Sequence, residues 1–200
     1  MPVIIVSYIL VGIGFFVATL VYAAFFVRLI IHGPPAAAQS PSLVLLVGPC
    51  GQSAAAIQLL GTAATKYFGT YAKGTYLQAT AGQTMSAVGV LFGLLFIGLG
   101  LWMTMFAWYL IIEAAFKKQL IYSLQWWGTL FPMATVNTAW IAFATEMDSP
   151  TFRTLAAIFL ILLFINFFIN CGFTIRDIWM GKLLNGSRSE NPANGRVKES

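Results

Sequence analysis

What most constrains this chain is a series of apolar runs, each roughly 20 residues or longer, the length at which a helix crosses a bilayer core of about 30 Å. There are five, at about 3–31, 42–63, 83–116, 123–145 and 153–180 of the 200 residues. The composition agrees: 59% of the residues are hydrophobic and 8% charged, too few charges for the surface of a soluble domain. The expected fold class is therefore all-α transmembrane, with the lipid bilayer as its surroundings. The third and fifth runs exceed one span and must tilt or project into water. HGPPAAAQSPS, KYFGTYAKG, KKQ and EMDSP separate the runs and read as short loops at the membrane edge. From Asn185 the sequence NGSRSENPANGRVKES holds valine as its one large apolar residue. Residues 1–184 thus read as the transmembrane region and 185–200 as a disordered cytoplasmic tail.

The net charge of +5 comes from basic residues scattered at run ends and in the tail. That pattern determines topology and does not make a phosphate-binding surface, so no nucleic-acid partner is expected. With the tail in the cytoplasm, Arg28, Lys117, Lys118, Arg176, Lys182, Arg188, Arg196 and Lys198 lie inside, against Lys66, Lys73 and Arg153 outside. The positive-inside rule then places the C-terminus in the cytoplasm and the N-terminus outside. The first run lacks a basic leader and a cleavage pattern and reads as a retained span. Cys50 and Cys171 each sit within an apolar run without a disulfide or metal spacing. His32, beside Pro34 and Pro35, reads as a loop residue. No GxSxG, HExxH or Walker sequence is present, so the chain is not expected to be an enzyme or to carry a metal or cofactor.

The runs differ in character. The third and fifth are dominated by bulky apolar residues suited to lipid and read as outer helices. Gly89 and Gly93 form a GxxxG pair for close helix packing, and Asn166 and Asn170 share a face that can hydrogen-bond a neighbouring helix. The second and fourth runs instead carry Gly48, Pro49, Gly51, Gln52, Ser53 and Gln58, and Gly128, Thr129, Pro132, Thr135, Asn137 and Thr138. A proline near mid-membrane predicts a kink that frees carbonyl groups, and such backbone is tolerated only against protein or a water-filled cavity. Kinked inner helices at Pro49 and Pro132 are therefore expected. No lysine, arginine or carboxylate lies at mid-membrane in these runs. Hydroxyl and amide donors bind ions weakly and let them leave, and a helix N-terminus at Gly48–Pro49 would favour a negative guest, so anion passage is the preferred reading. The same residues also suit plain packing helices.

VGPCGQSAAAIQLLG, and WWGTLFPMATVNTAWIAFATEMDSPTFRTL further on, resemble the tellurite-resistance/dicarboxylate transporter family, which includes the slow anion channels of plant guard cells. GPxGQ followed by QLLG, WWGTxFP and an acidic segment running into SPxFR are most similar to the fungal plasma-membrane sulfite efflux pumps. The malic-acid transporters share these elements less fully. The resemblance, from about residue 3 to 185, implies ten helices in five hairpins around a central pore, odd-numbered helices inside. The five runs here look like the sixth to tenth, which makes the second and fourth pore-lining. A phenylalanine occludes the pore in this family, and Phe131 stands at the matching place as its gate. Gly48, Pro49, Gly51, Gln52, Ser53, Gly128, Thr129, Pro132, Thr135 and Asn137 would line the anion path. The resemblance further implies a small-anion substrate, sulfite first, a plasma-membrane location and a homotrimer. A proton-linked dicarboxylate (malate) transporter is the alternative within the family, and a non-transporting scaffold or fragment the alternative outside it. The first five helices have no counterpart here, and a truncated half is the expectation.

Overall fold

The computed structural model describes residues 2–70, 75–120 and 122–181. The expected tail at 185–200, and Lys73, Lys182, Arg188, Arg196 and Lys198 of the charge argument, lie outside the described residues. Five α-helices follow one another: α1 (Pro2–His32), α2 (Gly48–Tyr67), α3 (Ala79–Phe116), α4 (Leu130–Glu146) and α5 (Pro150–Trp179). Two 3₁₀ segments, Ala37–Val47 and Leu124–Thr129, lead into α2 and α4. No strand is present among the described residues.

The helices α1, α3 and α5, and the continuous stretch Gln39–Tyr67, are each long and apolar enough to cross a membrane. At 17 residues α4 measures about 26 Å. It reaches span length together with the six-residue 3₁₀ segment before it, which adds about 12 Å.

The breaks expected at Pro49 and Pro132 take a different form from a kink within an α-helix. Pro49 falls in the first turn of α2 and Pro132 in the first turn of α4. There the missing N–H has no α-type acceptor to lose. The discontinuity comes just before each proline, as a change from 3₁₀ to α winding. Across it, Gly48 N–H donates to the Leu45 carbonyl and Leu130 N–H to that of Trp127. The chain thus runs through the junction without a gap, and α2 does not begin with the exposed N-terminus that would attract an anion.

Pairwise contacts give the arrangement. Along α2 and α3, Gly61 faces Ser86, Ile57 faces Gly89 and Cys50 faces Gly100, so these helices are antiparallel. Thr129 meets Asn166, and Trp140 stacks on Phe152, so α4 and α5 are antiparallel too. Gly51 rests on Thr135, while Thr62 at the other end of α2 bonds Glu146, which makes α2 and α4 parallel. α1 packs against α2, with Tyr22 Oη donating to the Leu46 carbonyl at 2.8 Å, and reaches α3 through side chains such as Phe15, stacked on Phe96. Of its apolar window, Gln39–Tyr67 has 56% buried against 28% for α3 and 11% each for α1 and α5. α2 and its parallel neighbour α4 are accordingly the inner pair.

Lipid tails are as apolar as leucine, so helices in a bilayer associate through close packing, which small residues permit. The GxxxG pair serves this purpose: a Cβ at Gly89 would lie 2.7 Å from the Ile57 carbonyl oxygen, and one at Gly93 3.1 Å from Gln58 Cγ. Val44, Val47, Met103, Val136 and Phe143 fill the centre of the bundle.

Candidate functional site

The inner pair leaves one face uncovered. Leu45, Gln52 and Leu59 on the α2 run are exposed at seven-residue intervals, as are Phe131, Thr138 and Thr145 on α4. Two turns of helix separate such residues, so each set forms a stripe. Because α2 packs on α3 and α4 packs on α5 on the opposite side, the two stripes lie side by side on the same open face.

Phe131 is 64% exposed on this face. The Cβ position of Gly48 is 3.8 Å from Phe131 Cε1, so the ring lies across the 3₁₀-to-α junction of the neighbouring helix. Cys50 touches Gly100 at that level, near the middle of α3 (Ala79–Phe116), which places Phe131 at about mid-depth. Beyond the ring, toward the C-terminal ends of the pair, come Gln52, Thr138 and Thr145. The Thr138 and Thr145 hydroxyls donate to the carbonyls of Ala134 and Ile141, each at 3.0 Å, and keep their lone pairs outward. At the far end the Thr62 hydroxyl donates to the Glu146 carboxylate and joins the ends of α2 and α4. The stripes themselves carry no charge.

The residues expected along the path divide. Gln52 and Phe131 stand on the open face, and Pro49 and Gly128 are half-buried at its edge. Gly48, Gly51, Ser53, Thr129, Pro132, Thr135 and Asn137 are buried in the helix packing. Gly51 is there because any side chain would strike the α4 backbone. Thr135 Oγ1 donates to the Pro132 carbonyl at 2.7 Å and closes on the Gly48 carbonyl at 3.3 Å. Thr129 Oγ1 donates to the Trp126 carbonyl at 2.7 Å and accepts from Asn166 Nδ2 at 2.8 Å. These hydroxyls hold helices together. Thr138, noted among the polar residues of the fourth run, also stands on the open face; Thr62, Thr145 and Glu146 there were missed, although the seven-residue step from Phe131 through Thr138 reaches Thr145.

A polar network ties the second 3₁₀ segment to α5. Tyr122 Oη lies 2.8 Å from Thr174 Oγ1 and donates to the Asn170 carbonyl at 3.0 Å, while Trp127 Nε1 donates to Thr174 Oγ1 at 2.9 Å. Asn170 Nδ2 donates to Asn166 Oδ1 at 2.9 Å. Asn166 thus bonds across to Thr129 as the spacing suggested, while the Asn170 amide bonds Asn166 within α5. At the membrane edge, the Glu113 carboxylate 2.6 Å from Lys117 Nζ holds that ammonium above its ordinary range.

Comparison with known proteins adds ancestry to this geometry. The family described as voltage-dependent anion channel matches residues 1–175. A sulfite efflux pump of Arthroderma benhamiae is 28% identical over 160 residues, 80% of this chain and 40% of the relative. One from Trichophyton rubrum gives the same figures of 28%, 160, 80% and 40%. An uncharacterised transporter of Methanocaldococcus jannaschii is 27% identical over 122 residues, 61% of this chain and 31% of its own. The chain spans about 40% of the length of the fungal relatives it matches. No solved structure matches.

Proposed function

The chain belongs to the voltage-dependent anion channel family, and on that premise we propose that α2 and α4 form one wall of a path for small anions, gated by Phe131. The observation that carries this reading is the open face itself: partly polar, its two stripes without charge, with an exposed aromatic ring at mid-depth. A cationic side chain there would trap an anion. An amide such as Gln52 offers N–H donors that replace part of an anion's hydration without holding it. The phenyl ring narrows and dries the passage next to them, a recognised way to close a pore.

Sulfite is the proposed substrate, supported by the GPxGQ and WWGTxFP elements and by the names of the fungal relatives. The basic residues Arg28, Lys117, Lys118 and Arg176 gather at one end of the bundle and support a cytoplasmic C-terminus; a plasma-membrane location is proposed from the resemblance to the fungal pumps alone. The test is release of sulfite from loaded liposomes containing the purified chain, with Phe131→Ala beside it. Release above that of empty vesicles, faster in Phe131→Ala, is expected. No release from either protein overturns the path, an unchanged rate in Phe131→Ala overturns the gate, and release of malate without sulfite overturns the substrate.

A further inference from the structure

On the side of the bundle away from the open face, a groove of about 640 Å³ runs along α5 between Trp108 of α3 and Met133 of α4. Its walls include Leu163, Ile165 and Ile169, and Arg176 stands at one end. We propose that this groove holds one anionic phospholipid, its acyl chain along α5 and its phosphate on Arg176.

Length supports one lipid over a helix from a second copy. From Leu162 to Arg176 the groove follows 14 residues of α5, about 21 Å. Half of a bilayer measured with its headgroups is also about 20–22 Å, whereas a transmembrane helix needs the full thickness. The asparagine amides in the wall are already bonded: Asn166 Nδ2 donates to Thr129 and Asn170 Nδ2 to Asn166. An alkyl chain can therefore lie against them while each amide keeps a hydrogen bond within the protein.

A tail gains little by leaving bilayer for an apolar groove, so selection rests on the headgroup. The Arg176 guanidinium lies 5.1 Å over the Phe173 ring, which fixes it at the mouth. Asp177 accepts from Arg176 Nε and Nη2, both at 3.3 Å, through one carboxylate oxygen. The Asp177 side chain is 12% exposed and the Arg176 side chain 53%, so the guanidinium keeps an outward edge for a phosphate. Lys117 and Lys118 share this end of the bundle, and basic pockets between membrane helices are recognised sites for anionic headgroups.

The test is native mass spectrometry of the purified chain in detergent, with phosphatidylglycerol or phosphatidylcholine of identical acyl chains added. One phosphatidylglycerol is expected to remain bound in preference to phosphatidylcholine. Arg176→Gln should lower its retention about fivefold, the worth of one basic residue at a membrane surface, and Arg176→Lys should restore most of it. Ile169→Trp should displace both lipids, and Arg28→Gln, at the same end but off the groove, should change neither. Circular dichroism establishes that each variant folds. Equal retention of the two lipids, an unchanged preference in Arg176→Gln or an equal loss in Arg28→Gln overturns the proposal. So does a lipid-free dimer that Ile169→Trp dissociates, which would make the occupant a second copy.

Discussion

Gly51→Ala tests how closely the two inner helices must approach. A Cβ at Gly51 would lie 2.6 Å from Thr135 Oγ1, 2.7 Å from the Val136 nitrogen and 2.8 Å from the Thr135 carbonyl carbon. Two of these atoms are backbone and cannot rotate away. Ordinary contact begins near 3.4 Å, so α2 and α4 must part locally by about 0.7 Å. A gap of that size forfeits roughly a quarter to a half of the attraction between facing atoms, and overpacked sites cost about 1–3 kcal/mol. Alanine returns about 1 kcal/mol of helix propensity, which leaves about 0–2 kcal/mol, and because two of the clashing atoms are backbone the upper half of that range, about 1–2 kcal/mol, is expected. At about 2–4 °C per kcal/mol for a chain of this length, the thermal midpoint in detergent should fall by about 2–8 °C. Gly98→Ala supplies the opposite sign: a Cβ there has no atom within 4 Å, so propensity acts alone and the midpoint should rise. At Gly48 the nearest atom is 3.8 Å away, and alanine there should be tolerated. If Gly51→Ala melts at or above the parent while Gly98→Ala gains, close approach at Gly51 is not what joins the inner pair.

Thr129→Val removes the acceptor of Asn166 and should cost about 1 kcal/mol, seen as a fall of about 2–4 °C in the same melting experiment. Asn166→Leu added to it should cost less than the sum of the single changes, and strict additivity would refute the coupling. Gln52→Glu places a carboxylate on the open face, where repulsion should slow sulfite release roughly tenfold or more at neutral pH and relent as acid protonates it. An unaltered rate across that range removes Gln52 from the path.

Much of the fold was legible because a bilayer permits few backbone solutions. Each apolar run overlaps one of the helices, and small residues marked α2 as an inner element. The 3₁₀ segments were not legible. The second and fourth runs begin at about 42 and 123 by hydropathy, but α winding starts at Gly48 and Leu130, since apolar composition does not separate the two windings. The site was read less well, for a related reason. Glycine, serine, threonine and asparagine suggest a hydrated path, yet in lipid they are also what brings helices into contact. Gln52 and Gln58 show the difficulty: six residues apart on α2, one faces the open side and the other is 2% exposed, with its Nε2 donating to the Ala54 carbonyl at 2.8 Å. Composition cannot assign them to different faces. Contacts can.

Those contacts also reveal a repeated unit. A 3₁₀ segment, an inner helix with proline in its first turn and a long antiparallel outer helix occur once as residues 37–116 and again as 124–179. The inner helices are parallel, so the two units stand in the same orientation rather than inverted. Since 3₁₀ winding rises about 2.0 Å per residue against 1.5 Å for α, each lead-in carries its inner helix into the membrane with few residues. It also brings the glycine or phenylalanine beside the proline to mid-depth. In one unit that residue is Gly48, and in the other Phe131. The ring of the second unit lies over the glycine of the first, with 3.8 Å between Phe131 Cε1 and the Cβ position. The seat of the proposed gate is thus made by two units meeting at the same junction, and its depth follows from a feature that neither helix carries alone.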